Sequence, residues 1–379
     1  MIRLLRRLPL SVVGAVLGLP FFFLYYLYLW LVVDLRLIYH SGGIVLDFPV
    51  FYLGWEFFRQ SVSRPGGLVE YVSAFLAHFF YIGWAGALIA TAQAWLLWLC
   101  SGAVVRVASG RRLNWVGFVA TIILLVLYAR YVYLFGIAMN GLVAFGFAYL
   151  YLVTASKRKP TDLLIFLVLL IILYAIAGGA CLLFAVLCGI CEVFLRRRPL
   201  LGIIFLGLTP IVTRVVSLAV FNVGVIDAFN DFIPSFSTGG IINAPRFVAS
   251  CAFYLLLPLT LVGLWLVEIL RKNHVAPPDA AGKEEQNPPG RFTVWFTKET
   301  APAVTPLLAI VAGALIATFC QAFFLKAIIS VDYYACNKMW PEVLEASAPY
   351  QNNKFINHTV NRALYHTGRL ADDMFVYPQ

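Results

Sequence analysis

Long apolar runs recur along the whole of this 379-residue chain, and they constrain its fold more than any other feature. The first run extends from Leu8 to Val33 without a charged residue, and a helix needs about twenty apolar residues to cross a bilayer. Only 12% of the residues are charged and 62% are hydrophobic, whereas a soluble domain has about 25% charged residues. The sequence therefore predicts an all-α fold, a polytopic bundle of membrane helices.

Nine apolar runs predict about nine transmembrane helices within a membrane domain of residues 1–326. The run from 163 to 195 is divided at Gly178-Gly179, because one long helix would place the basic clusters at its two ends on opposite sides of the membrane. The expected spans are 9–33, 69–100, 114–135, 137–155, 163–178, 180–195, 200–222, 247–270 and 304–325. An interfacial loop, a linker rich in Pro and Gly, and a soluble helical tail are expected at residues 34–68, 271–303 and 327–379.

Basic residues fall in short clusters between the apolar runs and predict the orientation of the chain. Placing the N-terminus in the cytoplasm puts the main clusters on one side of the membrane; they lie at residues 3–7, 106–112, 157–159, 196–198 and 271–298. Cytoplasmic loops are enriched in Lys and Arg, so the linker is expected inside, and the interfacial loop and the tail outside. Because orientation accounts for the formal charge of +10, the expected partner is the lipid bilayer and not nucleic acid.

The outer loop gathers ionisable and aromatic residues in one short stretch. Aromatic residues between Phe48 and Phe58 suit a segment half sunk in the membrane interface, and a short interfacial helix is expected around Phe51 to Gln60. Two carboxylates of this loop, Asp47 and Glu56, are the candidate catalytic residues, since a positioned carboxylate is a suitable general base. The alternative is an ordinary interfacial linker whose charges face water.

Two arginines lie within the predicted spans, where a charge costs about 3 kcal/mol or more. Arg130 and Arg214 are both expected toward the outer ends of their helices, where a guanidinium suits a lipid phosphate. The alternative for Arg214 is a structural ion pair that holds the bundle together. The candidate partners in that pair are the outer carboxylates Asp34, Asp227 and Asp231. In both cases Arg214 is expected to be buried, whereas Glu192 is expected to be interfacial because it lies beside a basic cluster.

The cysteines indicate no redox or metal site. Six of the seven lie in or beside apolar runs, where cysteine commonly acts as a small hydrophobic residue. Cys188-Gly-Ile-Cys191 has the spacing of a redox pair but lacks the strand-to-helix context of such motifs. Cys336 is the only cysteine in the tail, so no disulfide is expected inside the tail. The sequence therefore predicts no metal and no cofactor.

The tail contains two similar segments about thirty residues apart. Asn337-Lys338-Met339-Trp340 aligns with Thr367-Gly368-Arg369-Leu370 as a short turn between two helices. With a period near 34 residues, the pattern resembles a tetratricopeptide repeat. Such repeats bury their faces against neighbours, so the tail is expected to dock on the membrane domain or on a partner, unless the chain is truncated.

A broader resemblance covers nearly the whole chain. Its motifs around the second run are Pro65-Gly66-Gly67-Leu68, Tyr71, Phe75-Leu76, Phe79-Phe80-Tyr81 and Gly86-Ala87. Its motifs in the tail are Asp332-Tyr333-Tyr334, Trp340, Val343-Leu344, Asn361, Ala363-Leu364, Gly368, Leu370 and Met374-Phe375. They resemble a bacterial family of multi-spanning proteins known only as a domain of unknown function. The resemblance implies this architecture and the bacterial inner membrane, and members of that family continue beyond the position of Gln379.

Three classes of function remain open, and enzymatic activity is undecided. In the first, the protein is an anchor or subunit of an envelope complex that binds other envelope proteins through its outer loops and residues 327–379. In the second, it is an enzyme similar in layout to membrane-embedded glycosyltransferases with a polyprenyl-phosphate-linked donor, although the DxD or ExD pairing of such loops is absent. Asp47 or Glu56 would then be the base, and Arg130 or Arg214 would hold the lipid phosphate. The third class is a transporter, which is indicated only by the helix breaks at Gly178-Gly179 and Pro210.

Overall fold

A computed structural model describes residues 10–40, 49, 51–110, 113–131, 135–155, 159–221, 244–273, 301–350 and 354–375. Every regular element within these ranges is helical, with sixteen α-helices and no strand. The prediction of an all-α fold is therefore confirmed.

The helices are numbered in chain order. The first seven are α1 (Leu10–Leu27), α2 (Leu35–His40), α3 (Trp55–Val62), α4 (Gly67–His78), α5 (Gly83–Ser109), α6 (Asn114–Ala129) and α7 (Phe135–Thr154). The next five are α8 (Lys159–Ala177), α9 (Ala180–Ile190), α10 (Pro199–Val216), α11 (Ala244–Asn273) and α12 (Ala301–Cys320). The tail contains α13 (Phe323–Cys336), α14 (Trp340–Ser347), α15 (Lys354–His366) and α16 (Leu370–Asp373). Turns of π-helix extend three of the helices at Tyr28–Val33, Cys191–Leu195 and Ser217–Phe221.

Several of these helices are long and apolar enough to span a membrane. Three helices meet this requirement on their own: Gly83–Ser109, Phe135–Thr154 and Pro199–Phe221. A fourth counts if Leu308–Cys320 and Phe323–Cys336, which are bent by 71° at their junction, form one span. Five shorter apolar helices are Gly18–Val33, Trp115–Ala129, Thr161–Ala177, Ala180–Leu195 and Cys251–Val267. By length and composition the described helices therefore supply three or four spans, fewer than the nine predicted.

The bundle is packed around α6, which lies against α5, α11 and α12. Small residues allow these close approaches: a Cβ on Gly117 of α6 would lie only 2.4 Å from a ring carbon of Trp98. Likewise, a Cβ on Gly141 of α7 would lie 2.6 Å from a ring carbon of Phe253. Such pairing of glycine with a large ring is typical of membrane helices, whose association depends on close packing rather than on the exclusion of water.

The run from 163 to 195 folds as a helical hairpin. Gly178-Gly179 joins α8 to α9, and Gly178 has a left-handed φ of 51°. At the open end of the hairpin, Nη1 of Arg198 lies 2.8 Å from Oδ2 of Asp162. A continuous helix would place these residues, 36 positions apart, about 54 Å from each other. The division predicted at Gly178-Gly179 therefore corresponds to a reversal of the chain.

The predicted span 69–100 is interrupted in the structure. Its first part belongs to α4, which ends at His78, and α5 begins only at Gly83 after a 3₁₀ turn and an extended residue. Gly86 allows this turn to pack closely against the start of α5, since a Cβ at this position would lie 2.8 Å from the Cα of Phe80. Apolar composition alone does not reveal such a turn, because both helices are equally hydrophobic.

The predicted span 304–325 also ends early. The helix stops at Cys320, and α13 starts at Phe323 in a new direction. The N–H of Ala322 donates to the carbonyl oxygen of Ala129 at 3.2 Å, which fixes the bend against the end of α6. The cause is a contact with a distant segment, so the local sequence did not predict it.

Two turns that contain glycine, one before α4 and one between α8 and α9, contact each other. The N–H of Gly66, between α3 and α4, donates to the carbonyl oxygen of Ala175 at 3.2 Å. Gly66 has a φ of 84°, and a Cβ on it would lie 3.1 Å from the backbone nitrogen of Gly178. The corner between α3 and α4 therefore rests on the turn between α8 and α9, with backbone against backbone.

The tail packs as two helix–turn–helix units around a small core. Lys338 and Gly368, thirty positions apart, both have positive φ, at 58° and 73°. The next residue in each turn donates its N–H to the preceding helix, from Met339 to Tyr334 and from Arg369 to Leu364, both at 2.9 Å. The buried side chains of the tail are Val331, Ala335, Val343, Leu344, Ile356, Val360, Ala363 and Leu364. The two segments thus have the register that the sequence predicts, while their identity as tetratricopeptide repeats stays a prediction.

Candidate functional site

The first loop and the tail meet in a cluster of polar side chains. α2 packs against α13 and thereby joins residues 292 positions apart in the chain. We call this cluster the loop–tail junction. It consists of Asp34, Arg36 and His40 from the loop and Lys326, Asp332, Tyr333 and Cys336 from α13.

His40 and Arg36 make the side-chain contacts across the loop–tail junction. Nε2 of His40 lies 2.9 Å from Oδ2 of Asp332, and its ring stands edge-on to the Tyr333 ring with the centroids 5.3 Å apart. The guanidinium carbon of Arg36 lies 5.9 Å from the centre of the same tyrosine ring. Arg36 also donates to the carboxylate of Asp34 at 2.9 and 2.7 Å, and these hydrogen bonds raise the pKa of the guanidinium. Arg36 therefore remains a cation held between a carboxylate and an aromatic ring.

The junction is built on the end of the first helix. Asp34 has a left-handed φ of 56°, a conformation that aspartate tolerates better than most residues. The end of a helix leaves carbonyl groups without partners in the helix itself. Here the carbonyl oxygen of Val32 accepts from Nζ of Lys326 at 2.6 Å, and that of Val33 accepts from the Tyr131 hydroxyl at 2.9 Å. The helix end is therefore tied both to α13 and to the end of α6.

Replacing Lys326 by methionine should loosen the tail from the membrane domain. A hydrogen bond from a charged donor contributes about 1.5–3 kcal/mol, so hydrogen exchange of the amides in α13 is expected to become roughly tenfold faster or more. Lys354→Met is the matched control, since Lys354 is exposed at the start of α15. Equal exchange in the two variants would contradict a docking role for Lys326.

The structure contradicts the expectation that Arg214 is buried. Its side chain is exposed, whereas Thr209 and Thr213 lie on the buried face of α10. Successive residues of a helix project about 100° apart around its axis. Thr213 therefore lies on the buried side of α10, whereas Arg214 lies on the exposed side. The candidate partner Asp34 is paired with Arg36 instead. The other predicted acidic residues, Asp47, Asp227 and Asp231, lie outside the described residues.

The remaining candidate residues lie outside three cavities of the described structure. Glu56 is exposed on α3, and Arg130 is a partly exposed residue at the end of α6. A cavity of about 430 Å³ lies between α3 and α4. Glu56, Arg130 and Arg214 line neither this cavity nor two others among the described residues. The catalytic role of Glu56 and the phosphate-binding role of the two arginines stay predictions.

The expected helix in the first loop is present as α3, Trp55–Val62. The ring of Phe51 packs against those of Phe57 and Tyr71, with centroid distances of 5.7 and 5.2 Å. Tyr52 and Trp55 expose 65% and 73% of their surface. Exposed aromatic rings suit the boundary between lipid and water. The surface of α3 is therefore suitable for the membrane interface, and its position there stays a prediction.

The sequence places Glu192 near the membrane interface, which stays a prediction, and the structure shows that its side chain is fully buried within the protein. The carboxylate accepts from the Tyr151 hydroxyl at 2.9 Å and from Nη1 of Arg196 at 2.8 Å. Arg198 lies 3.9 Å from its second oxygen and bonds the buried Asp162. The spacing of Glu192 and Arg196, one helical turn apart, was the available signal for this network.

Sequence reasoning also missed a group of three potential metal ligands in the loop–tail junction. One ligand atom from each of His40, Asp332 and Cys336 lies within 4.8 Å of the others. Asp332 and Cys336 are four residues apart on α13, so they project from the same face. That spacing was visible in the sequence, but the approach of His40 depends on the docking of the tail, which local pattern does not reveal.

A comparison with protein families gives one match over almost the whole chain. The matching model covers residues 9–379 and is described as a family of unknown function (DUF6057). No curated protein and no solved structure matches the chain. What the protein does must therefore be argued from its own residues.

Proposed function

The chain belongs to this family of unknown function, and we propose that it is an integral membrane anchor, or subunit, of an envelope protein complex. In this proposal the protein lies in a bacterial inner membrane, with its N-terminus in the cytoplasm and its tail outside. The tail is the docking surface, a tetratricopeptide-like module held in place by the loop–tail junction. The observation that carries the proposal is that the tail has its own core and yet is tied to the membrane domain by side chains of α13.

The surface of the tail supports a docking role. Tyr365 and Phe375 expose 68% and 85% of their surface, and large aromatic side chains are enriched at protein interfaces. In the same tail, the Trp340 ring is stacked on His366 with the centroids 4.2 Å apart, and the Arg362 guanidinium carbon lies 5.3 Å from the centre of the Trp340 ring. Aromatic residues and arginine are the side chains that most often dominate binding energy.

The nine-span topology is part of the proposal and is supported by the arrangement of the apolar helices. Each predicted span overlaps one of the long or short apolar helices of the described structure. The hairpin of α8 and α9 brings Asp162, just after the basic cluster 157–159, to Arg198 of the cluster 196–198. Both clusters then lie on one side of the membrane, as the positive-inside rule requires.

The glycosyltransferase and transporter hypotheses have less support. An enzyme acting on a lipid-linked sugar needs its base and its phosphate ligands around one pocket. Glu56, Arg130 and Arg214 line none of three cavities among the described residues. The helix break at Gly178 is occupied by the backbone of Gly66, which gives it a packing role rather than that of a substrate site.

Photocrosslinking from the tail tests the docking proposal. A photoreactive phenylalanine derivative replaces Tyr365 or, separately, Phe375 in the full chain, and intact cells of the source organism are irradiated. We expect both positions to yield an adduct with the same protein. The control position is Phe319, which exposes 87% of its surface on the apolar helix α12 and should react with lipid alone. The proposal fails if the tail positions capture no protein or only the same background as Phe319.

A further inference from the structure

We propose that His40, Asp332 and Cys336 form a binding site for a zinc-like divalent metal ion that fastens the tail to the first loop. The inference goes beyond the proposed anchoring function and does not depend on it. It rests on three ligand atoms from two distant segments, which converge at the loop–tail junction.

The geometry of the three side chains is close to what a metal ion requires. Zinc bonds to nitrogen, oxygen and sulfur are about 2.0–2.3 Å long and tetrahedral, so their ligand atoms lie about 3.2–3.8 Å apart. Nε2 of His40 and Oδ2 of Asp332 are 2.9 Å apart, and no pair in the group is separated by more than 4.8 Å. Small side-chain rotations would bring all three atoms to the required distances.

The kinds of ligand select the metal. Magnesium and calcium prefer sets made entirely of oxygen atoms, whereas imidazole and thiolate ligands suit zinc and neighbouring transition metals. On binding, the Cys336 thiol gives its proton to solvent, and the resulting thiolate together with the Asp332 carboxylate balances the two positive charges of the ion. Three protein ligands leave the fourth tetrahedral position for a water molecule.

The surroundings hold the ligands in place and leave them accessible. The His40 ring is fixed edge-on by Tyr333, which in turn lies beside the Arg36 guanidinium. Asp332 exposes 51% of its side chain and His40 exposes 22%, so an ion can enter from solvent. Because a bound ion would link residues 292 positions apart, it would crosslink the first loop to α13 and close a long stretch of chain.

A simple docking hydrogen bond between His40 and Asp332 is the alternative, and Cys336 separates the two interpretations. The hydrogen bond does not involve the thiol, whereas the metal site requires it. The experiment uses the purified full chain in detergent, stripped with a chelator and titrated with Co²⁺ as a spectroscopic substitute for Zn²⁺. We expect one equivalent to bind with a thiolate-to-cobalt charge-transfer band, and Zn²⁺ to displace it.

Cys336→Ser should abolish the charge-transfer band and weaken Zn²⁺ binding by more than the roughly 10–100-fold that follows loss of a supporting outer group. Asp332→Asn, which keeps the shape of the side chain, should weaken binding as well. Cys320→Ser is the matched control, because Cys320 is a partly exposed cysteine outside the group, and it should keep the wild-type band. The proposal is overturned if wild type binds no Co²⁺, or if the band persists in Cys336→Ser.

Discussion

Replacement of Glu192 by alanine is expected to destabilise the protein by about 3–5 kcal/mol, the typical cost of removing one partner from a buried ion pair. The carboxylate is fully buried and bonds Tyr151 and Arg196, with Arg198 3.9 Å away. Without it, the Arg196 guanidinium, which is only 27% exposed, loses its counter-charge, while Arg198 keeps its ion pair with Asp162. The measurement is the thermal unfolding midpoint in detergent micelles, which should fall by several degrees.

Two further variants calibrate the effect of Glu192→Ala. Glu192→Gln keeps the size and the acceptor oxygen for Tyr151 but removes the charge, so it should be intermediate. Glu70→Ala breaks an ion pair with Arg64 in which the two side chains are 45% and 51% exposed, and such surface pairs contribute about 0–1 kcal/mol. If Glu192→Ala lowers the unfolding midpoint no more than Glu70→Ala does, the buried network does not stabilise the fold.

Substituting alanine for Gly67 is expected to prevent correct folding or to destabilise the protein by more than about 4 kcal/mol, an exceptional loss for which a severe steric clash is one of the known causes. A Cβ at this position would lie 1.7 Å from the carbonyl oxygen of Ser61 and 2.6 Å from its carbonyl carbon. The obstacle is backbone, so no side-chain rotation relieves the clash. The corner between α3 and α4 would have to open, and its contact with the turn at Gly178 would be lost.

Gly146→Ala is the matched control for this prediction. Gly146 lies within α7, and a Cβ on it would meet no atom within 4 Å. Alanine is favoured over glycine in a helix by about 0.5–1 kcal/mol, so this variant should be neutral or slightly more stable. Both variants are compared by the yield of monodisperse protein and by the unfolding midpoint. Similar yields would contradict the close contact of Gly67 with the Ser61 carbonyl in this corner.

The helices and three of their turns follow from local properties of the sequence. Apolar runs mark the helical segments, and the glycine pair Gly178-Gly179 marks the hairpin because glycine reaches positive φ without strain. The alignment of Lys338 with Gly368 likewise placed the two turns of the tail. In each case the residues that determine the structure are neighbours in the chain.

The burial of the charged residues and the candidate site did not follow from the sequence, because they depend on contacts between distant segments. Arg214 looked buried in an apolar run, but which face of α10 is covered depends on the packing of other helices. The basic neighbours of Glu192 did not indicate its burial, which involves α7, whose Tyr151 hydroxyl bonds the carboxylate. The loop–tail junction needs the bend of 71° at the start of α13, which a contact with Ala129 fixes.

The closure of the loop–tail junction has a consequence for biosynthesis. His40 and Asp332 are 292 residues apart, and ribosomes add about 5–20 residues per second. The first loop must therefore wait about 15–60 s after its own synthesis before its partner exists. During that time the Val32 carbonyl has no Lys326 to cap it. Docking of the tail therefore takes place only in a chain that has been translated as far as α13.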